Sequence, residues 1–429
     1  MILVHTKFYA MGITSKPQSY KMQRLINLVK RKVNSIPCIY KFVAPIRERQ
    51  IEGVYRKTVD YYANQKIQGT CKELLASRLK ERLQRLRHLE QPLNIFYVGT
   101  IYFQDSSGIL QACEEIGNLS YFTREDGDYG QYSPIREFYV DFKEANGKRL
   151  WQLVSELEAR NEVPHILIGQ MWAGWIDGSV LSKIRKQFGT IVVNICMDDR
   201  HAFWGKMKLG DLTGTKGLIP HIDLAATAAP ECVDWYLKEG CPAIFFPEAS
   251  DPKIFYPMPD LPKIHDVCFV GKCYGIRREI IMSLRKAGVR VITYGHGWEN
   301  GRIATSKVRK LFAQSKIVIG VGTISHCRNF FALKMRDFDG PMSGSLYLTQ
   351  DNKDLHDLFE VGKEIVVYSS IDDCIEKVRY FLRHSEKREK IARCGLERVR
   401  QEHTWKKRFK YLIQFLLNDR TCMINSRKK

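Results

Sequence analysis

The sequence predicts an α/β protein built from two doubly wound parallel-sheet units that face each other, preceded by a basic helical extension. Three observations carry this. From residue 94 onward, short apolar runs recur with helix-patterned stretches between them, which is the grammar of a parallel sheet covered on both faces. The alternation stops at a proline-rich stretch and then starts again. Residues 1–92, by contrast, have helical periodicity and an excess of positive charge.

Taking the elements in order, residues 20–92 read as helical. Met22, Leu25, Ile26, Val29 and Val33 share one face, and Leu75, Leu79, Leu83 and Leu86 repeat the pattern between Leu74 and Leu89. Pro37 and Pro45 are expected to break the region into several helices. Helices of this kind more often pack on their own protein than on a membrane.

Strands are predicted at 94–99, 137–141, 165–169, 190–197, 224–227 and 243–246, which make the first unit, residues 93–246. Five prolines between Pro247 and Pro262 then mark a linker. The second unit, residues 263–429, has strands predicted at 266–271, 289–294, 316–321, 346–349 and 364–368, and it closes with helices. Two such units place a cleft between the carboxyl ends of their strands, where sheets of this type bind ligands.

Size and charge narrow the function. The 429 residues allow two or three domains, and 44% hydrophobic residues are enough for real cores. No apolar run is long enough to span a membrane, and the N-terminus does not read as a secretory signal. The 12 cysteines form no CxxC pair and no zinc-spaced group with histidine. Together these predict a reducing, cytoplasmic setting without disulfides or structural zinc. The net charge is +21, but residues 1–92 hold +13 of it and residues 383–429 hold +10, leaving −2 for the middle. Nucleic acid is therefore the poorer partner, since its enzymes line the working cleft with cations. The basic ends suit peripheral contact with an anionic membrane surface, polysaccharide or nucleic acid, the last an alternative reading of the chain as a binder, and equally a solvated helical face.

Four stretches carry candidate chemistry. Phe269-Val-Gly-Lys-Cys-Tyr-Gly-Ile-Arg-Arg278 is strand, glycine loop and helix start. Gly271 admits a close ligand, the helix N-terminus offers N–H groups to phosphate, and Lys272, Arg277 and Arg278 add charge. An ordinary βα turn with solvated arginines has the same letters. Tyr294-Gly-His-Gly-Trp298 places His296 beside phosphate or sugar and Trp298 against a base. Arg336-Asp-Phe-Asp-Gly-Pro-Met-Ser-Gly344 reads as an acid beside a glycine-rich helix start. There Asp339 would accept from ribose or sugar hydroxyls, and the Ser343 and Gly344 N–H groups would meet phosphate; the bland reading is a helix cap. Asp198-Asp199, at a strand end of the first unit, is an acceptor contact or base, or again a cap.

From Phe269 to Phe409 the chain resembles the CgeB-like, spore-maturation-type glycosyltransferases. The matching stretches are Phe-Val-Gly with Arg-Arg at 269–278, Tyr-Gly-x-Gly-Trp at 294–298 and Arg-x-Phe-Asp with Gly at 336–344. The run from Leu348 to Tyr368 and the closing Arg-x-Lys-Ile-Ala-Arg-x-Gly with His-Thr-Trp at 388–405 continue the series. Residues 190–260 agree more loosely. The resemblance implies the GT-B fold, with the group-1-like C-terminal domain holding a nucleotide-sugar donor, a UDP- or GDP-sugar, as co-substrate. It also implies a glycan or other acceptor against the N-terminal domain, and no required cofactor or metal. Related enzymes retain anomeric configuration and carry two acids eight positions apart. Asp339 stands in the second place, and Phe331 occupies the first. A nucleotide-sugar-binding protein that no longer catalyses transfer, or a scaffold, is the alternative that this departure raises.

Overall fold

The computed structural model describes residues 37–88, 92–133, 142–208 and 210–417. The helical face at 22–33 and the strand predicted at 137–141 lie outside them.

Six parallel strands form the first sheet: β1 (Leu93–Val98), β2 (Gly117–Tyr121), β3 (Ile166–Gly169), β4 (Ile191–Cys196), β7 (Leu224–Thr227) and β8 (Ala243–Phe245). Their spatial order is β2-β1-β3-β4-β7-β8, and a two-stranded hairpin, β5 (Met207–Lys208) with β6 (Asp211–Leu212), stands apart. Strand β4 shows why the sequence folds this way. Its residues are buried throughout, and the pleat sends Ile191, Val193 and Ile195 into one core and Val192 into the other. A strand covered on both faces has no polar side to show, so it reads as one apolar run.

The second sheet is also parallel. It contains β9 (His265–Val270), β10 (Val291–Tyr294), β11 (Ser315–Ile319), β12 (Leu346–Gln350) and β13 (Val366–Tyr368), in the order β10-β9-β11-β12-β13. In each sheet the chain reverses its direction of travel once, between β1 and β3 and between β9 and β11. Those switch points open crevices at the strand carboxyl ends.

The helical extension packs onto the first sheet. Thr70 and Glu73 form a reciprocal cap that starts helix Cys71–Arg87, and Leu75, Leu79, Leu83 and Leu86 fill one core of the sheet. Helix Pro37–Ala63 runs through Pro45 rather than stopping there. Pro45 is exposed, and the buried Thr58 and Tyr62 further along anchor the helix by packing. The closing helices divide in a way the domain boundaries did not foresee. Helix Ser385–Glu402 contributes Val399 to a core of the second sheet. Helix Trp405–Leu417 crosses back, and its Trp405, Phe409, Leu412 and Leu416 share the core of Leu79, Ile168 and Phe246. The return is fixed by Ser250, whose N–H donates to the His403 carbonyl at 3.1 Å and whose carbonyl accepts from Trp405 N–H at 3.0 Å.

Candidate active site

The loop after β9 leads into helix Ile276–Lys286 through Gly275, whose backbone (φ +60, ψ −146) is open to glycine alone. The first turn of that helix has N–H groups with no acceptor inside the helix. Arg277 lies in this turn, 6% exposed, with its guanidinium 4.5 Å from the centre of the Tyr274 ring. Arg336 comes in from the far side of the switch point. Its Nη1 donates to the Val270 carbonyl at 2.8 Å and its Nη2 to Val321 at 3.3 Å. A Cβ on Gly271 would stand 3.0 Å from that Nη1, so the glycine makes room for the arginine.

Among the described residues neither arginine forms an ion pair, and the Nε of each is buried with no hydrogen-bond partner. Burial, and then the neighbouring charge of Arg336, hold Arg277 down to about 10, far below a free guanidinium. Two cations without an ion-pair partner among the described residues, at a sheet switch point beside a helix N-terminus, make an arrangement that suits an anion.

The other predicted residues fall into place differently. Lys272, Arg278 and His296 are exposed at the rim of this loop region. Trp298 does not present a free face to a base. It is buried, its Nε1 donates to the Gly271 carbonyl at 2.8 Å, and its ring meets Phe269 edge-on at 6.0 Å. With Cys273 N–H donating to the His296 carbonyl at 2.9 Å, it braces the glycine loop from behind.

Ser343 and Gly344 correct the reading of the 336–344 stretch. The helix is Arg336–Met342, so these two residues are at its carboxyl end. Their N–H groups are already used, Ser343 by the Asp339 and Gly340 carbonyls and Gly344 by Pro341. Neither is available to phosphate. Asp339 is buried, with Oδ1 accepting from the Ser250 hydroxyl at 2.7 Å, and it lies outside the lining of the cleft. Burial raises its carboxyl well above the usual range.

The two acids after β4 part company. Asp198 lines an interdomain cleft of about 780 Å³, together with Gln104, Gln170, Trp172, Trp175 and His201 from the first unit and Lys334 and Arg336 from the second. Asp199 turns into the core, fully buried, and accepts from the Tyr236 hydroxyl at 3.1 Å and from Thr215. These bonds hold Asp199 in the core, outside the lining of the cleft. Sequence reasoning missed Arg200, which joins the two units, and Glu248, which lines the cleft at the head of the linker. Glu248 lay within the Phe246–Pro252 run that loosely matches the family but was given no role; Arg200 stood unremarked beside the acid pair.

Residues 277–414 match a family model described as glycosyl transferase-like. No curated protein matches the chain in sequence. Among solved structures, Anabaena Alr3699/HepE in complex with UDP is similar with a TM-score of 0.53 at 9% identity, over 76% of this chain and 99% of that one. Sucrose-phosphate synthase from Thermosynechococcus elongatus gives 0.52 at 11%, over 75% and 98%. A glycosyltransferase from Rickettsia africae gives 0.52 at 10%, over 77% and 100%. At such identities the likeness is one of fold. The chain is thus a two-domain α/β protein of the GT-B type, whose residues 277–414 match the glycosyl transferase-like family model.

Proposed function

We propose that the protein is a nucleotide-sugar-dependent glycosyltransferase, with the donor diphosphate seated between Arg277 and Arg336 and the acceptor against the N-terminal domain. The observation that carries the reading is the arginine pair at the switch point, Arg277 buried and Arg336 half-buried, with neither in an ion pair among the described residues. Departure of a nucleoside diphosphate builds negative charge on its oxygens. Preorganised cations and N–H groups there are usually the largest catalytic term, about 3–4 kcal/mol for one donor. Lys272, Arg278 and His296 stand at the rim for the outer phosphate or the sugar, and Asp198 faces the acceptor side. The fold match to Anabaena Alr3699/HepE, solved with UDP and with UDP-glucose, favours a UDP-sugar. A glycan acceptor and retention of configuration follow from the resemblance to CgeB-like enzymes.

The test is a thermal-shift series against UDP, GDP, CDP, ADP and TDP, with and without divalent cation. A nucleotide at about 100 times its Kd stabilises by roughly 2.7 kcal/mol. The expected result is a shift with one nucleotide that disappears in Arg277→Ala, together with a loss of turnover of order 10²–10³. No shift with any nucleotide overturns the reading. One observation favours a binder that no longer transfers sugar: Phe331 stands where relatives carry an acid, and its carbonyl is held at 2.7 Å by Arg200. Nucleotide binding without turnover of any nucleotide sugar would decide for that reading.

A further inference from the structure

The cleft contains one acid that the donor site does not use. Glu248 follows β8 at the head of the linker, where the two halves of the cleft meet. It is 3% exposed, and its Oε2 is buried with no hydrogen-bond partner among the described residues. Buried carboxylates are ordinarily satisfied, and leaving one oxygen unmet is costly. A glutamate held only for structure would use both oxygens. Here Oε2 is left unmet in a residue that lines the same cleft as Arg336.

Resting on the donor reading above, we propose that Glu248 is the catalytic base that takes the proton from the acceptor hydroxyl. As the acceptor oxygen forms its bond to the anomeric carbon on the face that the diphosphate leaves, so that configuration is retained, its proton passes to Glu248 Oε2. The bond between that carbon and the diphosphate oxygen breaks, and its electron pair leaves with the diphosphate, facing Arg277 and Arg336. The glutamic acid then returns its proton to solvent.

Position favours Glu248 over its neighbours. A transferred sugar must pass between the donor half and the acceptor half, and Glu248 stands at their junction. Asp198 and His201 belong to the N-terminal wall alone. Its basicity fits as well. Burial pushes the carboxyl up to about 8, with Lys334 opposing and Asp337 and Asp198 reinforcing the shift. Arg408 of the closing helix faces it from behind, and Arg336 and His201 line the same cleft. A base is most effective when its pKa lies near the working pH, which an ordinary glutamate does not reach.

The experiment measures hydrolysis of UDP-glucose, UDP-N-acetylglucosamine and GDP-mannose, with water as acceptor, from below to above pH 8. It compares the wild-type full chain with Glu248→Gln, Glu248→Asp and Asp198→Asn, and records UDP and GDP affinity and melting temperature for each. Wild-type turnover is expected to rise with pH to a plateau beyond about pH 8. Glu248→Gln should keep its fold and its nucleotide affinity while losing turnover about 10²–10⁴-fold, along with the pH limb. Glu248→Asp should recover part of the rate with a displaced limb. Wild-type turnover and an unchanged limb in Glu248→Gln overturn the proposal and leave the donor reading standing. So does a limb that only Asp198→Asn removes, or nucleotide binding without turnover at any pH. A wild-type protein that binds no nucleoside diphosphate sinks both.

Discussion

Arg200 and Asp354 meet across the boundary between the two sheets in a pair of hydrogen bonds, 2.7 and 3.1 Å long. Both side chains are almost sealed from solvent. The same guanidinium holds Glu231 at 2.6 and 2.8 Å and the Phe331 carbonyl at 2.7 Å. Every N–H of the arginine is thereby used. This single side chain ties the N-terminal domain to the loop and helix that flank the donor site.

Removing one partner should therefore cost more than an ordinary salt bridge. Asp354→Ala leaves a buried guanidinium short of a carboxylate and is expected to destabilise the protein by about 3–5 kcal/mol. Arg200→Ala should cost at least as much, because it strands both Glu231 and Asp354. Denaturant unfolding of the two single variants and the double variant measures this. A coupling energy near zero would show that the pair is not an energetic link between the domains.

The helical extension also reaches the donor side. Glu48 Oε1 accepts from the Arg328 and Asn329 backbone N–H groups at 2.7 and 2.6 Å, and the Tyr55 ring sits 5.1 Å from Phe330. The loop they hold carries His326, whose ring lies 5.1 Å from Tyr274, the partner of Arg277. Glu48→Ala frees two N–H groups and loosens that loop. Nucleotide affinity is expected to fall by roughly 5–10-fold, the equivalent of about 1 kcal/mol. Arg56→Ala, which removes an exposed pair with Glu52 on the same helix, should change affinity little. Calorimetric titration with UDP separates the two, and equal effects would mean that the helix acts only through stability.

Much of this fold was legible because its central strands are buried on both sides and carry unbroken apolar runs. Strand β2 was not legible. Its residues Gly117–Tyr121 form a half-exposed edge, so no apolar run marks them. The site was read less completely, for reasons of geometry. Arg277 stood out by charge beside glycines at a strand end, whereas Arg336 was read only within the 336–344 stretch, and its bonds to the Val270 and Val321 carbonyls are contacts that no local pattern shows. Asp198 and Asp199 are adjacent, and only the turn after β4 decides which faces the cleft and which the core. Arg200 and Asp354 are 154 positions apart, and no local pattern announces a contact of that range. In the Arg336–Gly344 stretch the Gly340-Pro341 pair reads as a break, yet the chain stays helical through it. Phosphate contacts were therefore assigned to the wrong end of the helix.

His403 and Glu248 give the stability of the protein opposite slopes with pH. His403 is buried between Phe338 and Phe359, with Nε2 facing the Leu358 carbonyl at 2.9 Å and Nδ1 facing Arg408 Nη2 at 2.8 Å. An arginine can only donate, so Nδ1 must accept and the ring must be neutral, with its proton on Nε2. Burial, reinforced by Arg408, lowers its pKa from 6.5 to about 3. A depressed histidine gives stability that is whole above the unfolded pKa and is lost as pH falls towards the folded one. That loss, roughly 3–5 kcal/mol when complete, should run from pH 6.5 down to about 3. Glu248 is raised from 4.5 to about 8, so its contribution is whole at low pH and is lost as pH climbs through that window. Melting temperature against pH for wild type, His403→Gln and Glu248→Gln isolates each contribution. His403→Gln should flatten the acid slope and Glu248→Gln the neutral one. An acid slope unchanged in His403→Gln would mean that the ring is not held neutral, and would break the hydrogen-bond assignment that joins the closing helix to the donor domain.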